Sequence, residues 1–402
     1  MANSLTATRP AEPHAGMKAR LAEAVERHRT EILDLSHRIH ANPEPAFEEH
    51  RAAAWVAEAI ARHGFEVTHP AGRLATAVSG IRRGARHGTG PRIGILAEYD
   101  ALPGLGHGCG HNSMAASGVG AAMALASITD DLTGEIVFLG TPAEERGSGK
   151  ATMIEDGLFA GLDAALLYHP CDRSHVDIAP LASEDVYITF NGLQAHAAAE
   201  PWKGKNALDA MVLLFGAVGL WRQQLRTDAR VHGIIQEGGT AANIIPDRSR
   251  AWFMIRSADQ AYYAAMRERI QALARAAALA TDTTVEIEFD GGAQTMRTNR
   301  AIADRWRANA AAYGIVDQGH DASYGSTDMG NVSQVVPAIH PDLAIVAEGT
   351  PSHSLAFRDA AATPRADEVT LLAATLVAQT AYDLFAEPAL VEAAWREFRG
   401  EG

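Results

Sequence analysis

The sequence predicts an α/β protein in two parts: a sheet with covering helices, and a compact βαββαβ unit inserted into it. Three observations carry this expectation. Short β-rich segments alternate with glycine-bearing loops and helical patterns as far as Tyr168. From Glu184 to Gly292 the order becomes strand, helix, strand, strand, helix, strand, and beyond Ala293 helical periodicity resumes. At 402 residues the chain also exceeds what one hydrophobic core usually serves.

Residues 1–16, with two prolines and few apolar positions, read as a flexible tail. Helical periodicity then runs from Met17 to Ala41. A second helix is expected over Ala46 to His63, where Ala54, Val56, Ala57 and Ile60 recur at helical spacing before Gly64. Strands are expected at Glu66 to His69, Ala75 to Ser79, Arg92 to Glu98, Glu135 to Gly140 and Ala164 to Tyr168. The uncharged Ala/Gly/Met-rich stretch Ser113 to Ser127 reads as a helix buried against that sheet. In the insertion, strands are expected at Val186 to Asn191, Val231 to Glu237, Arg250 to Ser257 and Thr284 to Asp290. Helices are expected at Ala207 to Gln224 and Gln260 to Ala278, which together is a ferredoxin-like order. Helices Asn299 to Tyr313 and Ala366 to Phe385 return to the first part. The division is therefore residues 17–183 with 293–402, interrupted by 184–292.

Hydrophobic residues make up 47% and charged residues 21%, the balance of an ordinary globular chain. Asp and Glu outnumber Lys and Arg by 49 to 35, and a net charge of −14 repels phosphate backbones and anionic lipid. Neither nucleic acid nor membrane is an expected partner. No apolar h-region follows a basic start, no later run approaches the length of a membrane span, and a cytoplasmic location is expected. Two cysteines, Cys109 and Cys171, exclude a disulfide framework.

The densest chemical signal is AEYDALPGLGHGCGHN, just after a predicted strand, where ligands of open α/β sheets bind. Its glycines allow Cys109 and His111 to converge on one point. A glycine-rich turn with a buried thiol would show the same spelling. A second strand end carries Glu144 and Glu145: one carboxylate can ligate a cation while its neighbour moves a proton, although adjacent acids also suit an ordinary helix start. His169 closes a third predicted strand and His353 lies in the loop GTPSHS; each alone reads more often as a hydrogen-bonded structural histidine. Together Cys109, His111, Glu145, His169 and His353 exceed one tetrahedral site, so two shared cations are the simpler account, with a thiolate or carboxylate bridging them. Such a pair makes water reactive near neutral pH, with Glu144 as base.

The ordered set HRIHANPEPAFEE, AEYDALPGLGHGCGHN, GTPAEERGSGK, YHP, GLQAHAAAEPWKGKNALDA, NIIPD, GSTDMGNVSQ and the late His353 resembles the M20 metallopeptidase family over nearly the whole chain. The similarity is to its aminoacylase and amidohydrolase branch, which includes aminobenzoyl-glutamate hydrolases, auxin-conjugate hydrolases and dipeptidase-like members. It implies a zinc-aminopeptidase-like catalytic domain and a lid that makes a homodimer. It also implies two metal ions on Cys109, His111, Glu145, His169 and His353, zinc foremost with manganese or cobalt as alternatives, and Glu144 as general acid and base. By the same resemblance His196 reaches toward a developing oxyanion from the partner's lid with help from Asn243, and Arg256 contacts a substrate carboxylate. The expected substrate is a small amide: an N-acyl amino acid, an aminobenzoyl-glutamate-like conjugate or a dipeptide. Many relatives carry a histidine two residues before the aspartate, where this chain has Glu98; the roles of Glu98 and His107 stay open. The competing readings are a hydrolase with Cys109 as nucleophile, activated by His107 or His111, and a silent binding protein on the same scaffold.

Overall fold

In the computed structural model, residues 14–86, 90–319 and 325–401 are described; residues 1–13 of the expected tail lie outside them. A six-stranded sheet runs in the order Glu66–Thr68, Val78–Arg83, Glu135–Thr141, Arg92–Glu98, Ala164–Leu166, Ala338–Ile339. The last four strands are parallel and the first two antiparallel. Parallel strands buried on both faces are continuously apolar, as in Ile93, Ile95, Leu96 and Ala97 or Ile136 to Leu139.

Helix His111–Ala126 is buried along its whole length, because small residues let it lie close to the sheet. A Cβ on Gly118 would stand 2.4 Å from the Leu96 carbonyl oxygen. Helix Pro364–Ala386 packs against it. Contrary to the sequence expectation, this helix is long and apolar enough to cross a membrane, yet 83% of its apolar window is buried inside the protein, as befits a core helix.

Several boundaries differ from the sequence reading. The helical stretch Met17 to Ala41 is two helices, Ala15–Arg27 and Arg29–Ala41, broken at His28, whose backbone leaves helical geometry as its ring meets that of His63 edge-on. The expected strand Ala75 to Ser79 lies further on at Val78–Arg83, because Leu74 to Ala77 closes a tight turn on Ala71. Helix Pro388–Phe398 follows the long C-terminal helix after a break at Glu387, with proline at its first turn, where a missing N–H costs nothing.

A second core forms between Ala182 and Ala278. Its four-stranded antiparallel sheet runs Thr284–Ala293, Ala182–Asn191, Arg248–Ser257, Ala229–Glu237, with helices Ala207–Arg222 and Gln260–Ala280 packed on it. Asn206 and Asp259 cap these helices by accepting backbone N–H bonds. Strand alternation sends Val186, Ile188 and Phe190 into this core and Asp185 and Tyr187 to the opposite face, toward a cavity shared with the first sheet.

Candidate metal centre

The C-terminal ends of three parallel strands carry the site. Strand Arg92–Glu98 delivers Glu98 and Asp100, strand Glu135–Thr141 leads to Glu144 and Glu145, and beyond Ala164–Leu166 comes His169. His169 does not close that third strand; it opens a separate short strand, His169–Cys171, paired in parallel with Asp342–Ala344. The loop from Leu102 turns through Gly106 and Gly110, both at positive φ, and brings Cys109 and His111 back over the sheet. Gly110 admits no side chain, since a Cβ there would sit 2.6 Å from Pro170 Cγ. The distant His353, at φ 55°, is tied to the same loop by its N–H donating to the Gly108 carbonyl at 2.9 Å.

Five sequence-predicted donors thus meet in two trios, Cys109 with His111 and His169, and Cys109 with Glu145 and His353. A third group joins Glu98, His111 and Glu144. Cys109 Sγ stands 3.4 Å from His169 Nε2, and His353 Nε2 3.4 Å from Glu145 Oε2. Donors each about 2.1 Å from one tetrahedral zinc lie roughly 3.4 Å apart, so these spacings fit a shared cation. His111 Nδ1 is held by the Asp100 carbonyl and carboxylate at 3.0 and 3.1 Å, which aims Nε2 inward with no hydrogen-bond partner among the described residues. Asp100 also accepts from the Glu145 N–H at 2.9 Å.

The electrostatics point the same way. Burial first, then Glu98 and Glu145, raise the Glu144 carboxyl well above its ordinary range, and burial raises Glu145 to about 7. Burial disfavours a charged His111, but Asp100 outweighs it and holds the ring well above the usual histidine range. Burial, followed by Glu145, pushes the Cys109 thiol up, while burial, His340 and His111 push His169 down to about 3. Acids crowded out of water beside inward-facing nitrogens form surroundings that a divalent cation relieves.

Residues that sequence reasoning missed hold this arrangement. Glu49, from the HRIHANPEPAFEE segment, accepts from the Ala143 N–H at 2.8 Å and the Thr76 hydroxyl at 2.8 Å, bracing the turn that presents Glu144. Lys150 is wholly buried, its ammonium bonded to Glu98 and, at 2.6 Å, to Asp328. His107, left open by the sequence, joins none of the donor groups; it is buried against His40, and burial pushes it down to about 3.

The remaining predicted residues divide. Arg256 lines the cavity of about 1190 Å³ that also holds Cys109, Glu144, Glu145, His169 and His353. His196 and Asn243 adjoin each other, since the Ala197 N–H donates to the Asn243 carbonyl and Ile244 pairs with His196. Both are exposed, and neither lines that cavity in its own chain.

The chain is 36% identical to the mouse (Mus musculus) Xaa-Arg dipeptidase, with 97% of this chain and 96% of the relative aligned. It is 29% identical to one of the subunits of p-aminobenzoyl-glutamate hydrolase from Escherichia coli strain K12, with 93% of each covered. A dinuclear metal-binding M20 peptidase from Bacillus subtilis shares the fold with a TM-score of 0.68 at 20% identity, over 90% of this chain and 99% of that one. The sequence model of peptidase family M20/M25/M40 matches residues 94–374. On that match, and on near full-length likeness to a dipeptidase, this chain belongs to peptidase family M20/M25/M40 and is a metal-dependent hydrolase acting on C–N bonds.

Proposed function

We propose that the protein is a binuclear amidohydrolase that cleaves dipeptides or N-acyl amino acids, with preference for a cationic side chain. The observation that carries the binuclear reading is the pair of donor trios with Cys109 in common. Cys109 and His111 with His169 would hold one ion, and Cys109 and Glu145 with His353 the other, with the thiolate between them. A mixed sulfur, nitrogen and oxygen set favours zinc, with manganese or cobalt as alternatives. When bound, the ions supply Lewis acidity toward the amide carbonyl and make water more acidic.

The protein's own groups do the rest. Glu144, beside His111 and raised by burial and then by its acidic neighbours, takes a proton from the attacking water and returns it to the leaving amine. Arg256 offers its guanidinium to the substrate carboxylate from the cavity wall. Exposed His196 and Asn243 serve the cavity of a second subunit, a reading supported by their place outside their own. A dimer surface of the inserted unit is supported by the exposed stripe Val212, Leu213 and Leu220, with Gly216 and Gly219 open between them, beside the edge strand Ala229–Glu237 with exposed Ile234 and Ile235.

Substrate preference follows from the wall opposite the metal donors. Asp185 and Asp290 face each other across paired strands and both line the cavity, and Asp185 Oδ1 has no hydrogen-bond partner among the described residues. Burial, and then the repulsion of Asp290, raise the Asp185 carboxyl against the opposing pull of the Trp252 indole, Arg256 and Arg146. Tyr187 and Trp252 stack beside them at 6.0 Å, a surface suited to a guanidinium or a long alkyl-ammonium. The likeness to a dipeptidase of Xaa-Arg substrates supports the same preference. An aminobenzoyl-glutamate conjugate would bring a further carboxylate against this wall.

The Cys109-nucleophile reading is disfavoured, because burial raises the thiol and leaves it protonated without a cation. The test is hydrolysis of dipeptides ending in arginine, lysine, alanine and glutamate, of N-acetyl amino acids and of aminobenzoyl-glutamate, by protein stripped of metal and reloaded. Activity that returns with zinc, manganese or cobalt and is highest on arginine and lysine dipeptides is the expected result. Full activity after exhaustive chelation would remove the metal reading, and a preference for glutamate would remove the substrate reading.

A further inference from the structure

One buried charge cluster at the centre is left over once the five donors are assigned. Glu98 is 1% exposed, and its Oε1 is bonded by the Lys150 ammonium, itself fully buried. Asp328 holds that lysine twice, accepting from Nζ at 2.6 Å and from the backbone N–H at 3.0 Å. Taking an ammonium and two carboxylates out of water is costly, and such a group persists when its geometry and remaining hydrogen-bonding capacity are satisfied. Here one atom is not satisfied: Glu98 Oε2 has no hydrogen-bond partner among the described residues and points at His111 Nε2, 3.6 Å away, which has none either. That separation is long for a hydrogen bond and close to the roughly 3.4 Å expected between two donors on one tetrahedral cation. Glu144 lies within the same donor group.

The geometry points to Glu98 as a sixth metal donor, its Oε2 serving the ion held by His111, with Lys150 and Asp328 as positioning residues that fix the carboxylate. The inference rests on the binuclear reading above. Lys150 occupies one oxygen of Glu98 and so leaves a single oxygen for the ion, while its positive charge offsets the excess of acids around the centre. Sequence spacing concealed the arrangement: Lys150 follows a Gly-Ser-Gly run at a helix start, an ordinary place for a solvated lysine, and Asp328 is 178 residues away.

The test compares purified wild type, Glu98→Gln, Lys150→Met and Lys150→Arg. Metal per chain is measured by elemental analysis after dialysis against a graded chelator series, and the visible spectrum is recorded for cobalt-loaded protein. Glu98→Gln is expected to lose one of two ions at a chelator concentration at least about tenfold lower than wild type, with an altered cobalt spectrum and the second ion retained. Lys150→Met should shift the same ion in the same direction by a smaller factor, and Lys150→Arg should restore part of it. Should Glu98→Gln not fold, Glu98→Asp, which keeps the charge but withdraws the oxygen from His111, carries the same expectation. Two ions, unchanged chelator sensitivity and an unchanged cobalt spectrum in the Glu98 variant, with only a lower melting temperature, would overturn the assignment and leave a structural ion pair. Wild type that binds no ions would instead overturn the binuclear reading itself.

Discussion

The cavity has two walls of different character. The wall built from strand ends presents Cys109, Glu144, Glu145 and His169, and directly behind it Glu98, Asp100, His111 and Lys150 are almost wholly buried, each fixed by at least one partner. On the wall built from the four-stranded sheet, Asp185, Tyr187, Trp252 and Arg256 are only partly covered and alternate with core residues along open strands. The first wall constrains its groups from several directions at once, as reactive geometry requires. The second presents side chains that could be exchanged without disturbing a core, which suits selection among substrates. Between the strands of the same sheet, His196 and Asn243 lie outside their own cavity, exposed on the surface.

The contrast can be broken by substitution. Replacing Glu144 by alanine should lower turnover about a thousandfold, within the range of a lost general acid–base, while elemental analysis finds the metal content unchanged. Wild-type turnover in that variant would remove the proton-transfer role from the first wall. His196→Ala should cost about a hundredfold, the scale of a lost oxyanion donor. Mixing it with Glu144→Ala should restore part of the activity, because one hybrid cavity would then have both groups; no recovery after verified subunit exchange would place His196 in the service of its own chain. Leu220→Asp, on the exposed stripe of helix Ala207–Arg222, should weaken self-association by at least about tenfold in sedimentation. An unaltered dimer would move the interface elsewhere. Smallest in effect, Asp185→Asn should raise KM for arginine dipeptides by roughly tenfold, about 1.4 kcal/mol, with little change for alanine dipeptides. Equal losses on both would make Asp185 structural.

What the sequence disclosed follows the same division. Strand Arg92–Glu98 was legible to the residue, since a parallel strand buried on both faces is spelled in continuous apolar residues between glycine-bearing loops. Cys109, His111 and Glu145 stood out because a glycine-rich loop and paired acids after strands are unusual spellings, whereas His169 and His353, weak alone, were drawn in by the ordered motifs of the whole chain. The supporting residues could not. Glu49 sits among ordinary charged residues before a helix, Lys150 looks like a surface lysine, and Asp185 gains meaning only when Asp290, more than a hundred residues on, pairs opposite it. The break at His28 was likewise invisible, since apolar spacing continues through it and the ring that meets it belongs to His63.

Cys109 belongs to both trios, so the two halves of the centre share an atom and cannot fail separately through it. Losing the imidazole of His169 or of His353 would take a donor from one trio, whereas oxidation or alkylation of this one sulfur would strip both together. Because Cys109 is buried but lines the cavity, a reagent reaching this sulfur would have to enter by the space that the substrate uses.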